Sequence, residues 1–236
     1  MCTVSQLRSQ AKHRAKIKQQ KDIAFTSTDS VILADGSTAE FDEKLNFGNK
    51  DSTIPINARS EIENWENKRR KNKIEYAYAT TADGMPLGAE IKGAKHKVSI
   101  PSQFTNVDGA IVTHIHPRGN GYLSGTFSEP DLSSFSNRKC ATIRAVAKEG
   151  TYSISKSNNF DKSGFQSMIK QANIDFNKRV NSTAIEINNK YIKGEINYQD
   201  YYKQRVKAFN NELVRLHETY RGNQKKYGYI YTLEQI

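Results

Sequence analysis

Hydrophobic residues are spaced in two ways along the chain, and each spacing predicts a different kind of element. Between residues 60 and 160, apolar residues form short runs separated by Gly, Pro, Asn and Asp, which is typical of strands joined by turns. From residue 162 to residue 221 they recur at every third or fourth position, which is typical of amphipathic helices. The pattern predicts an α+β fold with a mixed central β-sheet flanked by helices.

The strand candidates lie in short stretches rich in β-branched and aromatic residues. IEYAYATTADGMPLGAEIKG predicts two strands about a turn near Asp83 and Gly84, with Glu75, Ala77 and Ala79 on one face of the first strand. HKVSIP and GAIVTHIHP each predict one strand, and ATIRAVAKEGTYSISK predicts a hairpin. YGYIYTLEQI, at residues 227–236, predicts a last strand that returns to the sheet.

Helices are predicted before, within and after this region. Ser60 and Glu63 match a capping box, so we expect a helix to begin at Ser60. SEPDLSSFS predicts the start of a shorter helix. Residues 162–192 and 197–221 predict an αα-hairpin that turns at Gly194 and ends at Gly222, with the two apolar seams facing each other.

These patterns divide the chain into four predicted segments. Residues 1–58 form a basic N-terminal arm and an extended connector that holds one strand-like piece, SVILADG. Residues 59–160 form the core, residues 161–222 form the helical hairpin, and residues 223–236 form the terminal strand.

Composition and charge narrow the class of protein. Hydrophobic residues make up only 36% of the chain, but 12 Tyr and 10 Phe can supply a core, so we expect a folded and very polar protein. Two cysteines provide no disulfide framework, and no apolar run reaches the ~20 residues needed to span a membrane. Without a signal-peptide pattern, the expected location is the cytoplasm.

The net charge of +11 is concentrated in part at the N-terminus, where residues 1–21 carry six Lys or Arg and no acidic residue. Such a basic arm suits an acidic partner, such as nucleic acid or an acidic protein. A solvated helix face is the alternative interpretation.

Candidate chemistry centres on the stretch VTHIHPRGNGYLSGTFSEPD, residues 112–131. On a strand, His114 and His116 project from the same face and can share one metal ion. Imidazole suits zinc, and a catalytic zinc takes three protein ligands plus water, so Asp131 is the candidate third ligand. Either half of the pattern also has a simpler explanation: His-x-His occurs on surface strands, and the spacing from Ser128 to Asp131 is typical of a helix cap.

A zinc ion at such a site would lower the pKa of a water ligand to about 7, and a nearby carboxylate would then be needed to accept the proton. Glu75 and Glu90, on neighbouring predicted strands, are both candidates for this base.

A strand glutamate, then His-x-His-Pro, then Ser-x-x-Asp resembles the JAMM motif of JAB/MPN metalloproteases, especially the bacterial and phage JAB-like domains. The resemblance covers roughly residues 60–155 and implies a JAB/MPN, cytidine-deaminase-like fold. It implies that His114, His116 and Asp131 bind Zn²⁺, that Glu75 is the general base and later the acid, and that Ser128 holds the water or the developing oxyanion.

The chain departs from the family in the loop that separates Pro117 from Ser128, which is longer than the family's usual spacing. Tyr122 and Phe127 in this loop are expected either to line a substrate groove or to hold the loop in place.

The resemblance favours a zinc-dependent peptidase or isopeptidase that acts on a protein or peptide, such as the tail of a ubiquitin-like protein. The alternative is a catalytically silent JAB-like scaffold that acts in an assembly or a virion and forms oligomers through the helical hairpin. A third hypothesis is nucleic-acid binding by residues 1–21. The resemblance and the polar, Asn- and Lys-rich composition suggest a bacterial or phage-infected host cell, with association with a virion as an alternative.

Overall fold

The structure, a computed structural model, describes residues 30–32, 38–40, 54–95, 97–117, 127–147 and 150–235. The chain divides into two units, Met1–Glu43 and Lys44–Ile236. In the first unit, β1 (Ser30–Ile32) pairs antiparallel with β2 (Thr38–Glu40). β1 coincides with the predicted strand-like piece, whereas the predicted basic arm at residues 1–21 lies outside the described residues.

The second unit is built on a six-stranded mixed sheet in the order β4-β3-β5-β6-β7-β8. Only β5 and β6 run parallel, and the other neighbours are antiparallel. The fold is therefore α+β with a mixed sheet, as predicted. The strands are β3 (Tyr76–Thr80), β4 (Ile91–Lys92), β5 (Ile111–Ile115), β6 (Thr142–Val146), β7 (Gly150–Lys156) and β8 (Tyr229–Gln235).

Helices cover both faces of this sheet. They are α1 (Ile56–Arg69), α2 (Ser102–Thr105), α3 (Glu129–Asn137), α4 (Lys162–Ile192), α5 (Tyr198–Gly222) and α6 (Gln224–Tyr227). No helix in the described parts of the chain is long and apolar enough to cross a membrane.

The two faces follow from strict alternation along the strands. On β5, Ile111 and Ile115 pack on the side of α1, while Val112 joins the core that α3, α4 and α5 form on the other side. All five residues of β5 are buried because helices cover both faces of this central strand.

Two sequence predictions about the elements were wrong. α1 begins at Ile56 rather than at Ser60, because Pro55 takes the N-cap position and its carbonyl accepts the N–H of Ala58 at 3.0 Å. The earlier start also buries Ala58 completely, one turn before Ile62.

HKVSIP forms no strand within its described part; a single bridge pairs Ala94 with Lys97, and α2 then starts after Pro101. α5 ends at Gly222, as predicted. A left-handed turn follows at Gly228, with φ +65°, where a Cβ would lie 2.3 Å from the carbonyl oxygen of Asn159.

The helical hairpin forms as predicted and packs on the sheet at its base. Phe176 on α4 and Phe209 on α5 meet edge to face with their ring centroids 5.5 Å apart, so the seams do face each other. Nearer the sheet, Phe165 and Tyr220 are fully buried in the main core. The hairpin is thus anchored by the same core that supports α3.

Candidate metal centre

His114 is held at the centre of the sheet by the strand β5. Its register partners are Ala77 on β3 and Ala145 on β6, and these small side chains leave room for the imidazole ring between them. His116 follows the last residue of β5, and its backbone N–H donates to the carbonyl of Val146 at 2.9 Å. This bond keeps the chain extended, so both imidazoles project from the same face.

Asp131 is brought to the histidines by the first turn of α3. Ser128 is the N-cap, and both halves of the predicted capping box are present. Asp131 Oδ2 accepts the backbone N–H of Ser128 at 2.8 Å and its hydroxyl at 2.6 Å, while the hydroxyl accepts the N–H of Asp131 at 3.3 Å. The cap therefore fixes the carboxylate on a rigid element.

The three candidate ligand atoms converge on one point. His114 Nε2 lies 2.9 Å from His116 Nε2, and Asp131 Oδ2 lies 3.6 Å and 3.8 Å from these two nitrogens. Two ligands that each lie ~2.0–2.1 Å from a tetrahedral zinc ion are about 3.3 Å apart. The observed separations bracket this value, so the triad can hold a metal ion.

The triad is buried on one side and open on the other. The side chain of His114 is 2% exposed, while those of His116 and Asp131 are 14% and 23% exposed. Burial acts to raise the pKa of Asp131, but the two histidines prevail and hold it well below its usual range. Asp131 is thus a carboxylate at neutral pH, as a metal ligand must be.

Glu75 lies beside the triad. It precedes β3, and since Ala77 is the register partner of His114, continuing the register places Glu75 opposite His116. Burial raises the pKa of Glu75, and Asp131 raises it further, while the two histidines oppose the shift. The backbone N–H of Val98 also bonds the carboxylate. A carboxyl group with a raised pKa next to potential metal ligands is suited to proton transfer.

Glu90, the other candidate base, lies against α1. Its carboxylate accepts hydrogen bonds from the indole of Trp65 and from Nε of Arg69, both at 2.9 Å. Burial acts to raise the pKa of Glu90, but these hydrogen bonds prevail and lower it. The geometry therefore favours Glu75 as the base.

The remaining predicted site residues have different outcomes. Ser128 uses its hydroxyl in the cap of α3, and its predicted role toward a water or oxyanion stays a prediction. Phe127 is 2% exposed and its ring centroid lies 6.3 Å from that of His114, so it packs in the core instead of lining an open groove. Tyr122 lies outside the described residues.

Sequence reasoning missed a buried charge network on the opposite face of β5. Arg144 on β6 is fully buried and donates to Glu66 of α1 at 2.7 and 3.0 Å and to Glu234 of β8 at 2.7 and 2.8 Å. Thr113 on β5 donates to Glu66 at 2.8 Å. This network ties α1, β5, β6 and β8 together and so fixes the strand that carries His114. A signal existed: Glu66 adjoins the apolar positions Ile62 and Trp65 of α1, and Arg144 interrupts a buried strand.

Comparison with known proteins adds no identification: no family model, no curated protein and no solved structure gives a significant match to this chain. The candidate site therefore depends on its own geometry and on the motif in the sequence.

Proposed function

We propose that this chain is a zinc-dependent hydrolase of the JAMM type, which cleaves a peptide or isopeptide bond. The observation that carries the proposal is the convergence of His114 Nε2, His116 Nε2 and Asp131 Oδ2 beside Glu75. A mixed sheet with helices on both faces is compatible with the JAB/MPN architecture that the motif implies.

Zinc accepts this donor set, two histidines with one carboxylate also bind non-haem iron(II), and the choice of zinc comes from the resemblance to the JAMM motif. Two imidazoles and one carboxylate are ligands that a catalytic zinc site uses, and three protein ligands leave a position for water or substrate. The position of the ligands on regular elements also favours a metal. His114 lies on the strand β5, His116 directly follows it, and Asp131 lies in the capped first turn of α3.

Zinc bound by this triad would polarise a carbonyl group and lower the pKa of a water ligand to about 7. Glu75 would accept the proton of the attacking water and pass it to the leaving amine. A raised pKa suits both halves of this role, because the carboxylate must take a proton and then release it. Ser128 would hold Asp131 in position through the capping box.

The experiment is metal analysis combined with two variants. Purified wild-type protein is expected to contain one zinc per chain, and His116→Ala is expected to lose it while keeping its circular dichroism spectrum. Glu75→Gln is expected to keep zinc and to lose hydrolysis of a peptide library. A folded wild-type protein that takes up no zinc would refute the proposal.

A catalytically silent scaffold is the second candidate, and the capping box favours it. Asp131 Oδ2 already accepts two hydrogen bonds from Ser128, so the carboxylate has a structural role without any metal. On this account Glu75→Gln leaves the biological activity unchanged. The third hypothesis, nucleic-acid binding by residues 1–21, concerns residues outside those that the structure describes.

A further inference from the structure

Three exposed lysines lie close to the backbone of Glu75 at the β4 edge of the sheet, and we name them the lysine rim: Lys73, Lys95 and Lys97. Lys73 lies two residues before Glu75 in the chain. The N–H of Glu75 donates to the carbonyl of Ala94 at 2.8 Å, and the N–H of Ala94 donates to the carbonyl of Lys97 at 2.7 Å. The turn that carries Lys95 and Lys97 is therefore bonded directly to the backbone of the candidate base.

The lysine rim carries uncompensated positive charge. Its three side chains are exposed, and none of them forms an ion pair with a residue that the structure describes. Glu90, an acidic residue of the same edge, is already bound by Arg69. Asp83 lies in the turn at the far end of β3, where it bonds Thr81.

We infer that the lysine rim selects an acidic polypeptide as the substrate, with Asp or Glu side chains close to the scissile bond. This inference rests on the proposed function, because it assigns the rim to the substrate of the same site. Exposed charges beside a binding site raise the local concentration of an oppositely charged chain. Each exposed ion pair strengthens binding by a factor of roughly two to five, so three together give about tenfold or more.

The surroundings favour a peptide over a nucleic acid. Lysine ammonium groups are compact charges on flexible side chains, and they bind carboxylates in many orientations. Binding of single-stranded nucleic acid depends in addition on exposed aromatic rings on which bases stack. Tyr76, the aromatic residue next to Glu75, has a ring face covered by the guanidinium of Arg69 at 4.6 Å from the ring centroid.

The test is a binding measurement with the full chain in the presence of zinc, by fluorescence anisotropy. The probes are a fluorescein-labelled 12-residue peptide of Glu, Gly and Ser, the same peptide with Lys in place of Glu, and a single-stranded oligonucleotide of equal charge. The rim variant combines Lys73→Glu, Lys95→Glu and Lys97→Glu. The control combines Lys170→Glu, Lys178→Glu and Lys190→Glu, three exposed residues of α4 with the same change in net charge.

The inference predicts that the wild-type protein binds the acidic peptide at least tenfold more tightly than the basic one. The affinity for the acidic peptide should fall at least tenfold in the rim variant and less than threefold in the control. Equal losses of affinity in the rim variant and the control would overturn the inference, since the peptide would then be attracted by the net charge of the protein. Tighter binding of the oligonucleotide, lost in the rim variant, would also overturn it and assign the rim to nucleic acid.

The outcome is separable from that of the proposed function because anisotropy needs no turnover. A folded protein that takes up no zinc when zinc is supplied, but binds the acidic peptide through the rim, would refute the hydrolase and leave the acidic partner. Conversely, zinc-loaded protein that cleaves acidic and neutral library peptides with equal kcat/KM would keep the hydrolase and refute the rim as its specificity determinant.

Discussion

The two faces of β5 both bury polar groups, but they do so in opposite ways. On the α1 face, the guanidinium of Arg144 meets the carboxylates of Glu66 and Glu234, so each donor has an acceptor within 3.0 Å. On the other face, two imidazole nitrogens and the Asp131 carboxylate converge on each other. In the Arg144 cluster, which we call the closed cluster, the positive and negative charges of the protein pair with each other. In the histidine–aspartate triad, by contrast, all three ligand atoms can donate electron pairs to one cation.

This difference separates a structural polar cluster from a candidate functional one. A buried ion pair that satisfies its own hydrogen bonds fixes the packing of elements and needs nothing further. In the triad a hydrogen bond of 2.9 Å joins the two imidazoles, and a bound cation would take the place of its proton, because all three ligand atoms carry lone pairs that a metal accepts. Nδ1 of His114 reinforces the contrast, since it is buried without a hydrogen-bond partner among the described residues.

The largest expected effect is on the closed cluster. Arg144→Met would leave the buried carboxylate of Glu66 and the partly buried one of Glu234 without a cation, which costs about 3–5 kcal/mol of the free energy of unfolding. Urea denaturation at pH 7 measures this loss. Arg179→Met is the matched control: its ion pair with Glu212 is 40% exposed on the arginine side, and we expect a loss of less than about 1 kcal/mol. Equal losses in the two variants would show that burial does not distinguish these clusters.

Acid should weaken the fold through His217, a buried histidine outside the metal site. Its ring stacks on Tyr152 at 4.6 Å, its Nδ1 bonds the hydroxyl of Tyr231, and burial lowers its pKa from 6.5 to about 3. Because only the unfolded chain binds this proton between pH 6.5 and 3, stability is lost as pH falls through that window, by about 5 kcal/mol in total.

Urea denaturation at pH 7.0 and 4.5 tests this dependence, with His217→Phe as the comparison. The variant is expected to have a flatter dependence on pH, since it removes the group that the unfolded state protonates. An identical slope in both proteins would rule out His217 as the source.

A smaller effect is expected when the charge of Asp131 is removed and its shape is kept. Asp131→Asn retains an oxygen that can accept the N–H of Ser128, so α3 should keep most of its cap. Zinc affinity should fall at least about 100-fold, because an anionic ligand is lost. Competition with a chromophoric chelator measures the affinity, and unchanged affinity would show that Asp131 serves the helix alone.

The smallest expected effect comes from changing Ser128, which holds the candidate ligand Asp131 in position. Ser128→Ala removes the hydroxyl that bonds Asp131, which should cost about 1 kcal/mol of stability and lower zinc affinity roughly tenfold. Asn197→Ala removes the N-cap of α5 and should cost the same stability without changing zinc affinity. If both variants keep full affinity, the capping box does not position the metal ligand.

Local rules predicted the candidate site well. His-x-His on a strand, and Ser-x-x-Asp at a helix start, each fix side-chain directions within a few residues. The structure places His114, His116 and Asp131 together for that reason. The hairpin of α4 and α5 was equally predictable, since its apolar spacing continues over many turns.

What the sequence did not predict depends on contacts between distant segments. Local patterns indicate that Glu66 and Arg144 occupy buried positions, but they do not show that Arg144 pairs with Glu66 and Glu234, which lie 78 and 90 residues away in the chain. Likewise, only the fold shows that Glu90, which precedes β4, is bound by Arg69 and Trp65 of α1. The resemblance already pointed to Glu75, and the fold adds the physical reason that Glu90 is held by Arg69 and Trp65.

The most direct test of the central claim is an anomalous difference map at the zinc absorption edge, from crystals of the full chain grown with zinc. We predict one peak ~2.0–2.2 Å from His114 Nε2, His116 Nε2 and an Asp131 carboxylate oxygen, with a position left for water on the side of Glu75. A map without a peak at this point, with Asp131 bonded only to Ser128, would contradict the claim and identify the cluster as a helix cap beside two histidines.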